Sequence, residues 1–188
     1  MDLATLERAC ATTEPVVARV TPDQYLLGTP CTDWDVHDLL NHLVGTLALG
    51  RALLGDVAPE VAMGPGQLPP GDLVGDDPGG AYRRGVEALL AAVDDGAFAR
   101  SHTTPLGEMP GAALAGFTIL DIVVHGWDLG RATGRPVAVD AALAEELLGF
   151  AHQAFATQPR RGLLGPEVAV PADAGPTERL VAFTGRTP

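Results

Sequence analysis

The stretch Phe117-Thr-Ile-Leu-Asp-Ile-Val-Val-His-Gly-Trp-Asp128 decides the reading of this chain. Its length and apolar density predict a helix. Within it Asp121 and His125 are four residues apart, so their side chains lie one above the other on a single helical face. A carboxylate and an imidazole so placed can share one divalent metal, or they can bind each other. The neighbours Ile119, Leu120, Ile122, Val123 and Val124 offer nothing to compensate a carboxylate withdrawn from water. Burying it uncompensated costs several kcal/mol. Something must neutralise Asp121, and a metal would do so.

A second imidazole stands far upstream, at His42 in Trp34-Asp-Val-His-Asp-Leu-Leu-Asn-His-Leu43. The pattern there is again apolar and helical. Helical bundles build metal sites from inward-facing residues on neighbouring helices, so His42, Asp121 and His125 form a candidate three-ligand set. The competing reading of His42 is a core histidine, which needs only its donor and acceptor satisfied.

Working outward, periodicity makes the chain mostly helical. Leu3, Leu6, Cys10, Thr13, Val17 and Val20 form one amphipathic stripe, which Pro15 is expected to kink or restart. A second helix is announced by Thr32-Asp33-Trp34-Asp35, with Thr32 or Asp33 as cap and Asp35 in the first turn. Its stripe is Val36, Leu40, Leu43, Leu47 and Leu54, with His42 on the flank near Leu39 and Thr46. From Gly55 to Gly80 the composition turns Gly- and Pro-rich and predicts a long functional loop. A third helix runs through Tyr82, Val86, Leu89, Leu90 and Val93. Residues 100–107 read as extended. Pro110 opens the fourth and longest helix, and Gly134 suits its left-handed cap. A fifth begins at Asp140 and carries Leu143, Leu147, Phe150, Ala154 and Phe155. After Pro159 the tail reads as irregular, with Glu167-Val-Ala-Val170 as a short strand. The expected architecture is all-α: an antiparallel four-helix bundle with an additional helix, a long loop and a short irregular or β-like tail, in one domain spanning 1–188.

Composition narrows the function. The net charge of -12 repels phosphate backbones and anionic lipid, which argues against nucleic-acid and membrane partners. No apolar run reads as long enough to span a bilayer. The N-terminus lacks the basic and apolar regions of a signal peptide, so a cytoplasmic protein is expected. Cys10 and Cys31 lie in no CxxC arrangement and read as small core residues. Trp34 and Trp127 read as packing at helix ends, and His37, His102 and His152 as facing solvent. Arg83, Arg84 and Arg131 read as exposed. Ser101 has no evident base partner, which argues against a serine nucleophile.

The combination of Pro30-Cys-Thr-Asp-Trp-Asp-Val36, Leu39-Leu-Asn-His-Leu43, Asp121-xxx-His125-Gly-Trp-Asp-Leu129 and Arg131-Ala-Thr-Gly134 resembles the actinobacterial branch of the DinB-like metal-binding superfamily. That branch includes the N-terminal domain of mycothiol-dependent maleylpyruvate isomerase. The resemblance extends into the tail, through Val168-Ala-Val-Pro-Ala-Asp-Ala174 and Arg179-Leu-Val-Ala-Phe-Thr-Gly-Arg186. It implies a four-helix bundle holding one divalent metal, usually zinc, through His42, Asp121 and His125. The family often has Glu where this chain has Asp121, so the shorter side chain must sit closer to the metal or bind through a different oxygen. Asp128 would orient a ligand imidazole from behind, or accept a hydrogen bond from a nearby helix end.

Three protein ligands leave zinc an open position, the pattern of catalytic sites. By resemblance, the expected activity is transfer, addition or isomerisation by a low-molecular-weight thiol such as mycothiol on a small electrophilic metabolite. The long loop would shape the pocket. Relatives with isomerase activity carry a further C-terminal domain that 188 residues do not accommodate, so maleylpyruvate isomerisation itself is not expected. The alternatives are a metal-dependent hydrolase or lyase using bound water, and a non-catalytic metal- or small-ligand-binding protein. Assembly as a homodimer is compatible with all three.

Overall fold

A computed structural model describes residues 1–60, 63–105, 107–156, 160 and 163–188. Among them are six helices and one small hairpin. In order these are α1 (Leu3–Val17), α2 (Val36–Leu54), α3 (Pro78–Ala92), β1 (Ser101–Thr104), β2 (Gly107–Pro110), α4 (Gly111–Ala132), α5 (Ala141–Phe155) and α6 (Pro176–Phe183). The chain divides into two units, Met1–Val137 and Ala138–Pro188.

The first unit is the expected all-α bundle. Its adjacent helix pairs are α1 with α4, α4 with α2, α2 with α3 and α3 with α1. The core is made by the apolar stripes: Leu6 and Val17 from α1, Leu39, Leu40, Leu43 and Leu47 from α2, Tyr82 and Leu89 from α3, and Ile119, Ile122 and Leu129 from α4, all fully buried. Two glycines let α4 come close to its neighbours. A Cβ on Gly126 would lie 2.4 Å from the Thr13 hydroxyl oxygen of α1, and one on Gly50 of α2 would lie 3.0 Å from Thr118 of α4. The Thr13 hydroxyl also donates to the Ile122 carbonyl at 3.0 Å. The Gly50–Thr118 approach brings α2 close to α4, the two helices that carry the candidate site, and the Thr13 contacts hold α1 against α4.

Several boundaries differ from the sequence expectations. Pro15 does not restart α1, which runs on to Val17. Standing in the last turn, its missing N–H and ring disturb little helix beyond it. The cap of α2 is Asp35 instead of Thr32 or Asp33: its carboxylate accepts from the Asp38 amide at 2.9 Å. Helix α3 starts inside the expected loop, because Asp77 accepts from Gly80 N–H at 2.8 Å and Pro78 is preorganised for a first turn. Residues 101–104 and 107–110, expected to be extended in part, pair antiparallel with Ser101 opposite Pro110. Helix α4 starts directly after Pro110 and runs 22 residues, with Gly134 left-handed beyond its end at φ 68°. By length and hydropathy α4 is long enough to cross a membrane, contrary to the sequence reading, but 67% of its apolar window is buried in the protein. It is the core helix of the bundle.

In the second unit α5 begins at the expected cap, with Asp140 accepting from Leu143 N–H at 3.0 Å, and packs on α6. Helix α6 replaces the irregular tail of the sequence reading. Pro176 opens it, and Glu178 reaches back to the Gly175 amide at 2.8 Å. Residues 167–170 form no strand; Val168 N–H instead donates to the Ala182 carbonyl at 3.0 Å, at the end of α6. The expected break at Pro159 lies outside the described residues.

Candidate metal centre

Local chemistry builds the site from three pieces. Asp35 starts α2 so that His42 falls in its second turn and Thr46 one turn further on the same face. The α4 spacing stacks Asp121, His125 and Asp128. Ahead of α2, the Thr29 hydroxyl donates to the Trp34 carbonyl at 2.8 Å and accepts from the Cys31 amide at 3.1 Å. That turn delivers Cys31 and Trp34 to the end of α4.

The structure brings His42, Asp121 and His125 together, with one ligand atom from each lying within 4.8 Å of the other two. His42 Nε2 is 3.0 Å from Asp121 Oδ2, and His125 Nε2 is 3.2 Å from Asp121 Oδ1. The imidazoles meet edge to face at 4.9 Å between ring centres. Trp34 lies against both, 4.5 Å from His42 and 5.8 Å from His125. Trp34 therefore packs at a helix end as expected, but onto the site itself. The His42 side chain is 1% exposed and Asp121 30%, so the site is deep yet open to solvent on the Asp121 side.

The far nitrogens are equally well held. His42 Nδ1 is 2.8 Å from the carbonyl of Gln67, which comes from the long loop. His125 Nδ1 is 2.9 Å from Asp128 Oδ2, and Asp128 is fully buried. Both Nδ1 atoms thus face pure acceptors and must donate, which turns both Nε2 atoms toward the centre. A neutral imidazole has a single N–H, however, and each Nε2 faces a carboxylate oxygen. The site offers two nitrogen lone pairs and a carboxylate to a common point, short of positive charge. Without a metal, protonation must supply it. Burial works against the His125 imidazolium, but the Asp121 carboxylate, with hydrogen bonds to Asp128 and Cys31, outweighs it and holds His125 well above the ordinary histidine range. Burial likewise opposes the Asp121 carboxylate, and His125 and His42 outweigh it and hold Asp121 well below the usual carboxylate range.

A second group of metal-capable atoms, Cys31, His125 and Asp128, shares His125 with the first. The Cys31 thiol donates to Asp128 Oδ2 at 3.3 Å and lies 3.7 Å from His125 Nδ1. Since Asp128 already takes the Nδ1 proton, this group is best described as a hydrogen-bonded support behind His125. Asp128 therefore stands as a hydrogen-bond partner of the His125 imidazole. Cys31 corrects the expectation of a plain core residue, whereas Cys10 is buried as expected.

Other expectations also shift. His102 is buried, not solvent-facing: its Nδ1 lies 2.9 Å from an Asp56 carboxylate oxygen and its Nε2 2.8 Å from the Ala97 carbonyl. His37 stacks on Tyr25 and pairs with Asp72 at 3.3 Å. His152, Arg83, Arg84 and Arg131 are exposed as expected. Thr46, which carried no functional reading in the sequence, donates to Asp121 Oδ2 at 2.5 Å; its spacing of four from His42 was the available signal.

These features define a helical-bundle protein with a two-histidine, one-carboxylate candidate metal centre. The mycothiol maleylpyruvate isomerase N-terminal domain family model matches residues 6–130, a span that contains every residue of the site, and the chain belongs to that family. It is similar to two uncharacterized Mycobacterium tuberculosis proteins, MT0763 of strain CDC 1551 / Oshkosh and Rv0738 of strain H37Rv. Each is 31% identical over 179 residues, covering 92% of this chain and 90% of the relative. No solved structure matches the chain.

Proposed function

We propose that this protein is a divalent-metal-dependent enzyme that uses a low-molecular-weight thiol, such as mycothiol, for S-transfer, addition or isomerisation on a small electrophilic metabolite. His42, Asp121 and His125 would hold the metal, most naturally zinc given two imidazoles and one carboxylate. The observation that carries this reading is the convergence of two Nε2 lone pairs and a carboxylate on one point, with both Nδ1 protons already spent on Gln67 and Asp128. A divalent ion supplies the missing positive charge. When bound it also favours the thiolate, the nucleophilic form of a thiol.

The chain's own residues do the rest. Gln67 and Asp128 fix both imidazole tautomers, Trp34 excludes water from one side of the histidines, and the partly exposed edge of Asp121 leaves a path for a small molecule. The family membership supports a mycothiol connection. The protein would work in the cytoplasm, with residues 1–188 acting as one domain, and without nucleic-acid or membrane partners, in keeping with its net charge of -12.

The test incubates zinc-loaded protein with a small thiol and a generic electrophile such as a chlorodinitrobenzene, and follows thioether formation. Turnover should require zinc and vanish in His125→Ala, with helical circular dichroism retained because bundle stability comes mainly from the apolar stripes. Equal turnover by His125→Ala would remove the metal from the mechanism. Zinc binding with no thiol chemistry would favour hydrolysis by bound water or a purely ligand-binding role.

A further inference from the structure

We infer that Thr46 is a positioning residue that makes Asp121 a one-oxygen ligand and so keeps a coordination position free. The inference rests on the metal reading above and deepens it. Thr46 stands one turn after His42 on α2 and is buried. Its hydroxyl lies 2.5 Å from Asp121 Oδ2, the short end of the range for a hydroxyl donating to a carboxylate. The same hydroxyl is 3.5 Å from His42 Nε2, too far to compete. Threonines in helices commonly donate to the carbonyl one turn back, as Thr12 does to Arg8, Thr118 to Leu114 and Thr133 to Leu129. Thr46 instead spends its proton across the helix pair, on Asp121. Branching at Cβ stiffens its side chain and holds that direction.

The consequence follows from valence. The two carboxylate oxygens of Asp121 are not equivalent: Oδ2 carries the Thr46 hydrogen bond and also lies 3.0 Å from His42 Nε2, whereas Oδ1 faces His125 Nε2. With a lone pair of Oδ2 committed, coordination through Oδ1 is the stronger, and two nitrogens plus one oxygen make three protein ligands. Without the hydroxyl, both oxygens are free to chelate the ion and to fill the position a small molecule would take. Thr46 thus complements the short reach of aspartate, pinning from α2 a carboxylate that α4 delivers.

The test uses the full chain with zinc and with cobalt(II), whose visible absorption is strong in four-coordinate sites and weak at higher coordination number. Thr46→Val keeps the shape and removes the donor, and Thr46→Ser keeps the donor. Zinc affinity, measured by competition with a chromophoric chelator, should fall about tenfold to a hundredfold in Thr46→Val. Its cobalt absorption should weaken, and Thr46→Ser should restore both. Thr46→Val indistinguishable from wild type in affinity and spectrum would overturn the inference while leaving the metal reading intact. Wild-type protein that binds neither ion would instead sink the metal reading itself. Should Thr46→Val fail to fold, the infrared carboxylate stretches of the wild-type zinc form, assigned by difference against Asp121→Asn, decide the matter. A wide separation of the two stretches supports one-oxygen coordination, and the narrow separation of a chelating carboxylate overturns it.

Discussion

Replacing Asp121 by Asn separates coordination from a merely structural Asp–His pair. Asn keeps the size and one carbonyl oxygen for the Thr46 hydroxyl, and its amide can donate to an Nε2 lone pair, so the metal-free fold should persist. What it removes is the charge on which His42 and His125 converge at 3.0 and 3.2 Å. Ligand binding to the folded state stabilises it by RT ln(1 + [L]/Kd), or about 2.7 kcal/mol at a free zinc concentration of ~100 Kd. For a chain of this size that corresponds to a rise in Tm of roughly 5 to 11 °C. If Asn weakens zinc binding about a hundredfold, the same zinc concentration equals the new Kd and the gain shrinks to about 0.4 kcal/mol, a shift of roughly 1 to 2 °C. Thermal melts of both proteins, in chelator and in zinc, measure all four values. An equal zinc-induced rise in the two proteins would refute Asp121 as a ligand. A large loss of stability already present in chelator, with no zinc response in either protein, would mark the pair as structural.

Three further outcomes follow from the geometry. In metal-free protein His125 is held above the ordinary value of 6.5, so its pairing stabilises the fold fully below about pH 6.5 and is lost as pH rises through the folded pKa; Asp121, held below 3.8, contributes above about pH 3.8 and is lost as pH falls. Zinc must displace the His125 proton, so calorimetric titration at pH 6.5 should show heat that varies with the ionisation enthalpy of the buffer, and buffer-independent heat would count against the ion pair. Burial pushes the Cys10 thiol up to about 12, leaving about one part in ten thousand as thiolate at pH 8; iodoacetamide on folded protein should therefore modify Cys31 ahead of Cys10, as peptide mapping would report. Gly126→Ala forces a methyl to within 2.4 Å of the Thr13 oxygen and should destabilise the bundle by about 1 to 3 kcal/mol, and an unchanged melting temperature would show that α1 and α4 separate freely.

Local spacing carried the helices and half of the site. The stripe of α2, the caps at Pro110 and Asp140 and the stacking of Asp121 on His125 all follow from periods of three and four, which neighbours along the chain enforce by themselves. The helical pattern around His42 and the way bundles build inward-facing sites made it a candidate third partner, the family resemblance pointed to the same residue, and the fold places it beside Asp121. What local pattern could not carry are contacts between residues far apart in sequence. Gln67 lies 25 residues from His42, Thr46 lies 75 from Asp121 and Cys31 lies 97 from Asp128. The burial of His102 depends in the same way on Asp56, 46 residues earlier. The pairs onto α4 go with the close approach of α4 at Gly50 and Gly126 and with the turn at Thr29 that brings Cys31 to it. The sequence by itself determined which side chains of each helix share a face. Tertiary packing decided which polar atoms meet across the helices, because a hydrogen bond is set within tenths of an ångström and a helical stripe only to within a face.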